Sequence, residues 1–277
     1  MPVNEASSAE PHVLVEVAEG IATITLNRPH RHNAMTPEML IRLGAAWQQV
    51  RDDPAVSVAL LRGAGTDSFC SGADLGRLIP LMTGARGAED EWDEAFLADP
   101  DTLSKALLRG YDVFKPIVVA VCGPALAGGT ELLMGTDFRI ASERAIFGTT
   151  EVRRGIIPAG GTLARLARQI PYTAAMEIIL GGEPVSADFA LRHGLVSRVV
   201  PHADTVPVAV ETAQRVAQAA PLALALAKEV VVTTSGVPLA EAYAVESAAM
   251  RAVMATEDAR EGPLAFLEKR SPRWSGR

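Results

Sequence analysis

Near the start of the chain, hydrophobic positions alternate or cluster in two short runs. His12 to Val17 and Ile21 to Leu26 are rich in β-branched residues and flank Glu19-Gly20, a pattern that predicts an antiparallel hairpin. The period then changes. Met39, Leu40, Leu43, Ala46, Trp47 and Val50 recur at helical spacing behind Thr36-Pro37, which supplies an N-cap and a proline at the first helical position. This predicts an amphipathic helix ending near Asp52. Two nearly continuous apolar runs, Val56 to Leu61 and Ile117 to Val121, predict strands buried on both faces. Between them, residues 76–112 mix glycine, acids and a few aromatics, and predict loop with a variable helix. After Glu131 the pattern predicts a short helix, a strand from Phe138 to Ala141 and the segment Ala145 to Val152. Helical patterns follow at about 161–170, 172–180, 186–192, 204–219, 221–233 and 238–254. Strands first and helices later predict an α/β core with a helical C-terminal region. There is no internal repeat and no low-complexity segment.

Composition narrows the functional classes. The 277 residues are 48% hydrophobic, enough for a sizeable core. Lys and Arg number 26 against 33 Asp and Glu, a formal charge of -7, so the overall field repels nucleic acid and acidic membrane surfaces. An anionic ligand must then meet a local basic patch. Cys70 and Cys122 are far apart in sequence and form no CxxC pair, which argues against a disulfide framework or zinc knuckle and for a reducing, cytoplasmic setting. Residues 1–10 carry acids and no basic group ahead of an apolar run, so they read as a loose tail rather than a targeting peptide. The most apolar window, Ala219 to Ala227, is cut by Pro221 and ends at Lys228, short of the roughly 20 residues of a membrane span. It reads as a core helix.

The common dinucleotide, P-loop, serine-hydrolase and zinc-protease signatures are absent, and His12, His30, His32, His193 and His202 have no metal-ligand spacing. No metal site is expected. His30 and His32 remain possible ligand contacts. Three segments instead combine turn glycines with strand ends: SFCSGADL at 68–75, ALAGGTE at 125–131 and FGTTEVRRG at 147–155. Glycines there let main-chain N–H groups approach a ligand, and a helix starting just after Gly128 adds its N-terminal dipole. Two such N–H groups make an oxyanion hole.

Six segments in order carry a resemblance: LNRPHRHNAM, FCSGADL, CGPALAGGTELLMGTDFRIAS, AIFGTTEVRRGIIPAGG, GLVSRVV and EGPLAFLEKRSPRW. Through nearly its whole length the chain resembles the crotonase superfamily of enoyl-CoA hydratases and isomerases. The resemblance implies an α/β spiral of ββα units over residues 11–200 and a helical C-terminal region, 201–277, that packs on neighbouring subunits in a homotrimer or dimer of trimers. It implies that the backbone N–H groups of Ala73 and Gly128 hold the thioester carbonyl of an acyl-CoA substrate. Glu131 and Glu151, 20 residues apart, correspond to the two glutamates of the hydratase branch, with Glu131 addressing water and Glu151 the α-carbon. Adding water across a conjugated double bond needs a base and an acid at one small site, and close carboxylates in a partly dry pocket can share one proton. No permanently bound cofactor is implied, since CoA arrives as part of the substrate. Arg28, His30 and Arg31 fall in the loop near the nucleotide, with Ala34 offering its backbone to adenine. Gly72, Asp74 and Leu75 of the oxyanion segment are likewise placed along the CoA. Arg77 follows Gly76, which stands where a lysine is frequent, and Lys269 resembles a tail lysine that reaches a neighbouring subunit's CoA phosphate.

Three departures qualify the pattern. Ala127 stands where a glycine often precedes the oxyanion glycine, a change expected to keep the turn. IPAGG at 157–161 is one residue shorter than the usual form, which is expected to reposition the backbone beside Glu151. The acidic insertion at 84–101 falls where the acyl pocket is usually shaped. For each glutamate the plainer reading is a salt bridge, with Arg139, Arg153 or Arg154. Cys70 and Ser71 are expected to pack or line rather than attack, having no local histidine base. The implied activity is reversible hydration of a 2-enoyl-CoA. The alternatives are an isomerase or related CoA-thioester lyase or hydrolase with the same oxyanion hole, a non-catalytic CoA- or RNA-binding protein of this fold, and an α/β domain using these glycines only as turns. The charge and the lack of a lysine-rich stripe oppose the RNA role.

Overall fold

Two β-branched runs pair as their spacing predicts. β1 (Val13–Ala18) and β2 (Ile21–Leu26) are antiparallel, with Val13 opposite Leu26 and Ala18 opposite Ile21. Glu19 and Gly20 take φ of 51° and 77°, a turn whose twist matches that of the strands. The computed structural model describes residues 10–277; the tail expected at 1–10 lies almost wholly outside them. After a 3₁₀ turn at Pro29–Arg31, α1 (Pro37–Asp52) begins with the Thr36 hydroxyl accepting from the Met39 N–H. Its predicted apolar stripe is buried. β3 (Val58–Gly63) and β4 (Ile117–Val121) are separated by three short helices, α2 (Leu78–Met82), α3 (Glu91–Ala98) and α4 (Thr102–Ala106), where a single variable helix was expected.

The chain continues through β5 (Ala125–Leu126), α5 (Gly128–Leu133), β6 (Phe138–Ser142) and β7 (Ile146–Gly148). Then come α6 (Thr162–Gln169), α7 (Tyr172–Gly181), β8 (Val185–Ser186), α8 (Ala187–Arg192), β9 (Arg198–Val200) and α9 (Thr205–Ala217). The larger sheet runs β1-β2-β3-β4-β6-β9, parallel except for its β1 edge; β5-β7-β8 form a second, small sheet. Alternate residues of β3 and β4 enter different cores. Ala59, Leu61, Val119 and Val121 join the cluster that contains α1, while Val58, Leu60, Val118 and Ala120 meet Ala209 and Ala213 of α9. Burial on both faces explains why these strands read as unbroken apolar runs.

The helical C-terminal region therefore divides in two. α9 covers one face of the sheet, whereas α10 (Pro221–Thr233) and α11 (Leu239–Met254) bury no residue within this chain. α10 is tied to the core by Lys228 Nζ, which donates to Asp137 Oδ2 at 2.8 Å and to the Lys115 carbonyl at 3.0 Å. A further helix, α12 (Asp258–Leu267), lies within the expected helical C-terminal region but beyond the patterns identified up to residue 254, and it carries Gly262-Pro263, a local break signal, in its middle. Trp274 packs over Gly262 and donates to the Gln218 carbonyl, holding that turn in place. Among the described residues no single helix is long and apolar enough to cross a membrane.

The loop between β2 and α1 is organised by Asn33, buried at φ 54°. Its Oδ1 accepts from the Arg28 N–H at 2.9 Å, and its Nδ2 donates to the Ala64 and Ser68 carbonyls, both at 3.1 Å. Asn33→Ala strands three backbone groups, two of them in buried hydrogen bonds, and puts a Cβ-only side chain at left-handed φ, so unfolding in urea is expected to show a loss of about 3 kcal/mol.

Candidate active site

Two chain segments that end strands are laid side by side. The Phe69 and Cys70 N–H groups both donate to the Pro124 carbonyl at 3.1 Å, and the Leu126 N–H returns to the Cys70 carbonyl at 2.9 Å. On the other side, the Met35 N–H donates to the Gly72 carbonyl and the Asp74 N–H to the Met35 carbonyl. This ladder uses the groups on either side of Ala73 and leaves the Ala73 N–H without an acceptor among the described residues. Gly128 is the first residue of α5, so its N–H has no partner within the helix. Both residues line one cavity.

The close approach depends on Gly72. At φ 92°, a Cβ there would fall 2.6 Å from Ala127 Cβ and 3.2 Å from the Gly128 nitrogen. Ala127 keeps the turn, as expected, but at φ 50° and ψ -124°, a glycine-type conformation costing an alanine about 1–3 kcal/mol. Bonds from the Ala127 N–H to the Gly148 carbonyl and from the Glu131 N–H to the Ala127 carbonyl hold it there.

The same cavity takes both glutamates. Glu131 lies one turn into α5, and Glu151 opens a 3₁₀ helix, Glu151–Arg154, just after β7; their relative exposures are only 6% and 7%. Glu131 Oε1 accepts from the Gly160 N–H at 2.6 Å. Glu151 Oε2 is buried without a hydrogen-bond partner. Burial, and then the charge of Glu151, push the Glu131 carboxyl up to about 7 against the opposing pull of the Gly160 N–H. Burial also raises Glu151, with Arg154 pulling the other way. The loop at 157–161, expected to act beside Glu151, thus holds Glu131.

Among the described residues neither glutamate has a salt-bridge partner. Arg139 is spent on the Leu195 and Thr136 carbonyls and on Gln169, and Arg153 on Glu183 and the Gly181 carbonyl. Arg154 Nη1 donates to the Thr150 carbonyl. The thiol of Cys70 is fully buried and pushed up to about 12, unsuited to attack, while Ser71 lines the cavity.

In the cavity, of about 230 Å³, Leu75, Leu78, Ile79, Met82, Leu103 and Leu107 form an apolar wall, while Ser71, Thr150 and Arg154 also line it. Residues 84–101 do not line it. They lie behind the wall, a correction to the expectation that this insertion shapes the pocket directly. The motif residues read for CoA are distributed unevenly. Arg28 is buried, its Nη1 donating to the Ala34 carbonyl at 2.7 Å and to Asp74 Oδ2 at 2.9 Å. Asp74 also accepts from the Gly76 and Arg77 N–H groups. Arg28, Ala34 and Asp74 therefore form an internal knot beside Gly72 and Ala73. Arg77 turns away to Asp90 and Asp93, whereas His30 and Arg31 are exposed. Lys269 follows α12 at φ 55° and is not part of the cavity wall. Sequence reading named Leu75 but missed Gly160, Leu78, Leu103 and Leu107; the adjacent glycines at 160–161 were the available signal for the first of these. Among the described residues no group of three or more His, Cys, Asp or Glu is placed to hold a metal ion.

This geometry coincides with similarity to known proteins. The family model for enoyl-CoA hydratase/isomerase matches residues 16–277. Enoyl-CoA hydratase EchA19 of Mycobacterium tuberculosis is 37% identical over 267 residues, spanning 96% of this chain and 97% of the relative. An (E)-benzylidenesuccinyl-CoA hydratase of Thauera aromatica is 37% identical over 264 residues, 95% of this chain and 99% of its own. The crystal structure of an enoyl-CoA hydratase from Bacillus anthracis superposes with a TM-score of 0.86 at 34% identity, covering 96% of this chain and all (100%) of that one.

The buried carboxyl at Glu131 makes stability depend on pH. Its pKa, about 7 when folded, lies above the 4.5 of a free glutamate, so the folded state binds more protons between these values and stability falls as pH rises through that window. Glu131→Gln removes the charge and keeps an acceptor for the Gly160 N–H. Denaturation should show the variant more stable than the parent by about 3 kcal/mol at pH 8, the gain shrinking towards zero below about pH 4.5.

Proposed function

This chain belongs to the enoyl-CoA hydratase/isomerase family, and we propose that within it the chain is an enoyl-CoA hydratase, adding water reversibly and syn to a trans-2-enoyl-CoA to give a 3-hydroxyacyl-CoA. The observation that carries this reading is the pair of buried carboxyls, Glu131 and Glu151, sharing one cavity with the two unpartnered N–H groups of Ala73 and Gly128.

The thioester oxygen accepts from both N–H groups, which draws electron density out of the conjugated double bond and makes C3 electrophilic. Such donors contribute most as charge grows on the oxygen, about 10²–10³ in rate for each. Glu131 orients water and takes its proton while the water oxygen bonds to C3. The enolate then collapses as C2 takes a proton from Glu151. The Gly160 N–H favours the anion on Glu131, and the unpartnered Oε2 of Glu151 favours the protonated acid there. The two titrate as a coupled pair, so one proton passes between complementary roles.

CoA lies along the segment from Ala73 to Leu75. The buried Arg28 and Asp74 shape the adenine loop around Ala34, leaving the exposed Arg31 to meet phosphate. Lys269 reaches the CoA phosphate of a neighbouring subunit. That requires an oligomer, and a homotrimer or dimer of trimers is supported by the apolar side chains left uncovered on α10–α12: Val231, Tyr243, Met250, Phe266 and Leu267 are 57–83% exposed. The two buried, free cysteines suit a cytoplasmic enzyme.

Loss of enoyl-thioester absorbance, followed across chain lengths, tests the activity. Glu131→Gln and Glu151→Gln should each lower kcat by about 10²–10⁴; full activity in both variants overturns the reading. Light scattering in solution should find three or six chains per particle, and a monomer contradicts the assembly.

A further inference from the structure

α2 is only five residues long, far too short to persist without tertiary support, yet Leu78, Ile79 and Met82 make it one wall of the cavity. Its support comes from the insertion behind it. At its start, Arg77 Nη2 donates to Asp90 Oδ2 at 2.6 Å and to Asp93 Oδ1 at 3.2 Å. Beyond its end, Arg86 Nη2 donates to Asp93 Oδ1 at 3.0 Å and to the Arg77 carbonyl at 2.9 Å. Arg86 therefore closes a ring around α2, and one carboxylate receives the guanidinium from each end.

Asp93 has no exposed surface, and it also accepts from the Glu89 N–H at 3.0 Å. Hydrogen bonding from Arg86 holds its carboxyl down to about 2, so the clamp stays charged throughout the physiological range. A buried carboxylate deprived of these partners is unfavourable, which couples the two arginines tightly. Asp93 sits on α3, whose Trp92 ring lies 4.7 Å beneath the Arg42 guanidinium of α1. The wall helix is thereby fastened to the long helix of the core. The other half of the wall is anchored to that helix too, since Trp47 Nε1 donates to the Ala106 carbonyl, next to Leu107.

We propose that Asp93 is a positioning residue for acyl selectivity: by binding Arg77 and Arg86 it fixes α2 as a rigid apolar wall that selects acyl chains by length. The inference rests on the hydratase reading for the identity of the guest; the clamp itself does not. A fixed wall rewards the chain that fills the cavity and penalises longer ones, whereas a mobile wall yields to either. Crotonyl-CoA, whose short acyl group makes few wall contacts, is insensitive to it.

Wild type, Asp93→Asn and Arg86→Lys are compared in two measurements. The first is kcat/KM over crotonyl-CoA and longer straight-chain 2-enoyl-CoA thioesters, or calorimetric affinity for the corresponding saturated acyl-CoA thioesters should the protein hydrate none of them. The second is hydrogen exchange at residues 78–82 and 117–121. In Asp93→Asn the preference for the best long chain over crotonyl should drop about tenfold, while the crotonyl value stays within about twofold. Amides at 78–82 should exchange at least about tenfold faster with those at 117–121 unchanged. Arg86→Lys should fall between the two. If Asp93→Asn does not fold, Arg77→Met, which frees one end only, is read in its place. An unchanged length profile overturns the proposal, and so does unchanged exchange at 78–82. Failure of wild type to hydrate any enoyl-CoA counts against the hydratase reading alone.

Discussion

The hydrogen bond from the Gly160 N–H to the buried Glu131 carboxylate sets the terms for everything else in the cavity. Without it, burial and the charge of the nearby Glu151 would drive Glu131 still further towards the neutral acid. With it, the pair is asymmetric: one carboxyl has a donor for its anion, and the other has a buried oxygen with none. Asymmetry of this kind lets two identical side chains take opposite roles in one proton economy. Gly160 is suited to the task because a side chain there has no room: a Cβ would fall 2.4 Å from Leu107 and 2.7 Å from Glu131 itself.

The two free N–H groups of the cavity follow a similar logic. The ladder that threads residues 70–74 between Met35 and β5 consumes the neighbours of the Ala73 N–H and leaves that one group free. The start of α5 leaves the Gly128 N–H free for a different reason, the lack of a preceding turn. Strain at Ala127 is the cost of bringing the two together, and it is borne by a framework of buried parallel strands. Site and scaffold are thus coupled through backbone geometry more than through side-chain contacts, which explains why glycine and alanine dominate the motif.

Much of this was legible in the sequence because periodicity reports burial. The α1 stripe and the β2 and β4 boundaries appear where their patterns place them, since each of these elements has one consistently buried face or two, and most of the later helices also match, although α10 and α11 bury no residue within this chain. Residues 76–112 were not legible: α2, α3 and α4 are too short for a period and are held by ion pairs and by packing on α1 instead. α12 was hidden by Gly262-Pro263, whose local preference is overridden by Trp274. At the site, the turn glycines and both glutamates could be named from motif and spacing. The partners could not. Arg28 turns inward to Ala34 and Asp74, and Arg77 to Asp93, because a guanidinium reads the same in sequence whether it faces a ligand or a buried carboxylate.

Isotope tracing of one turnover separates addition of water from migration of the double bond. A 2-enoyl-CoA incubated with the protein in D₂O enriched in ¹⁸O, then analysed by mass spectrometry and NMR, should give a product with ¹⁸O on C3 and a single deuteron on C2, delivered to the same face. A product without ¹⁸O, with its double bond moved along the chain, would contradict the assignment of Glu131 and Glu151 as a hydrating pair.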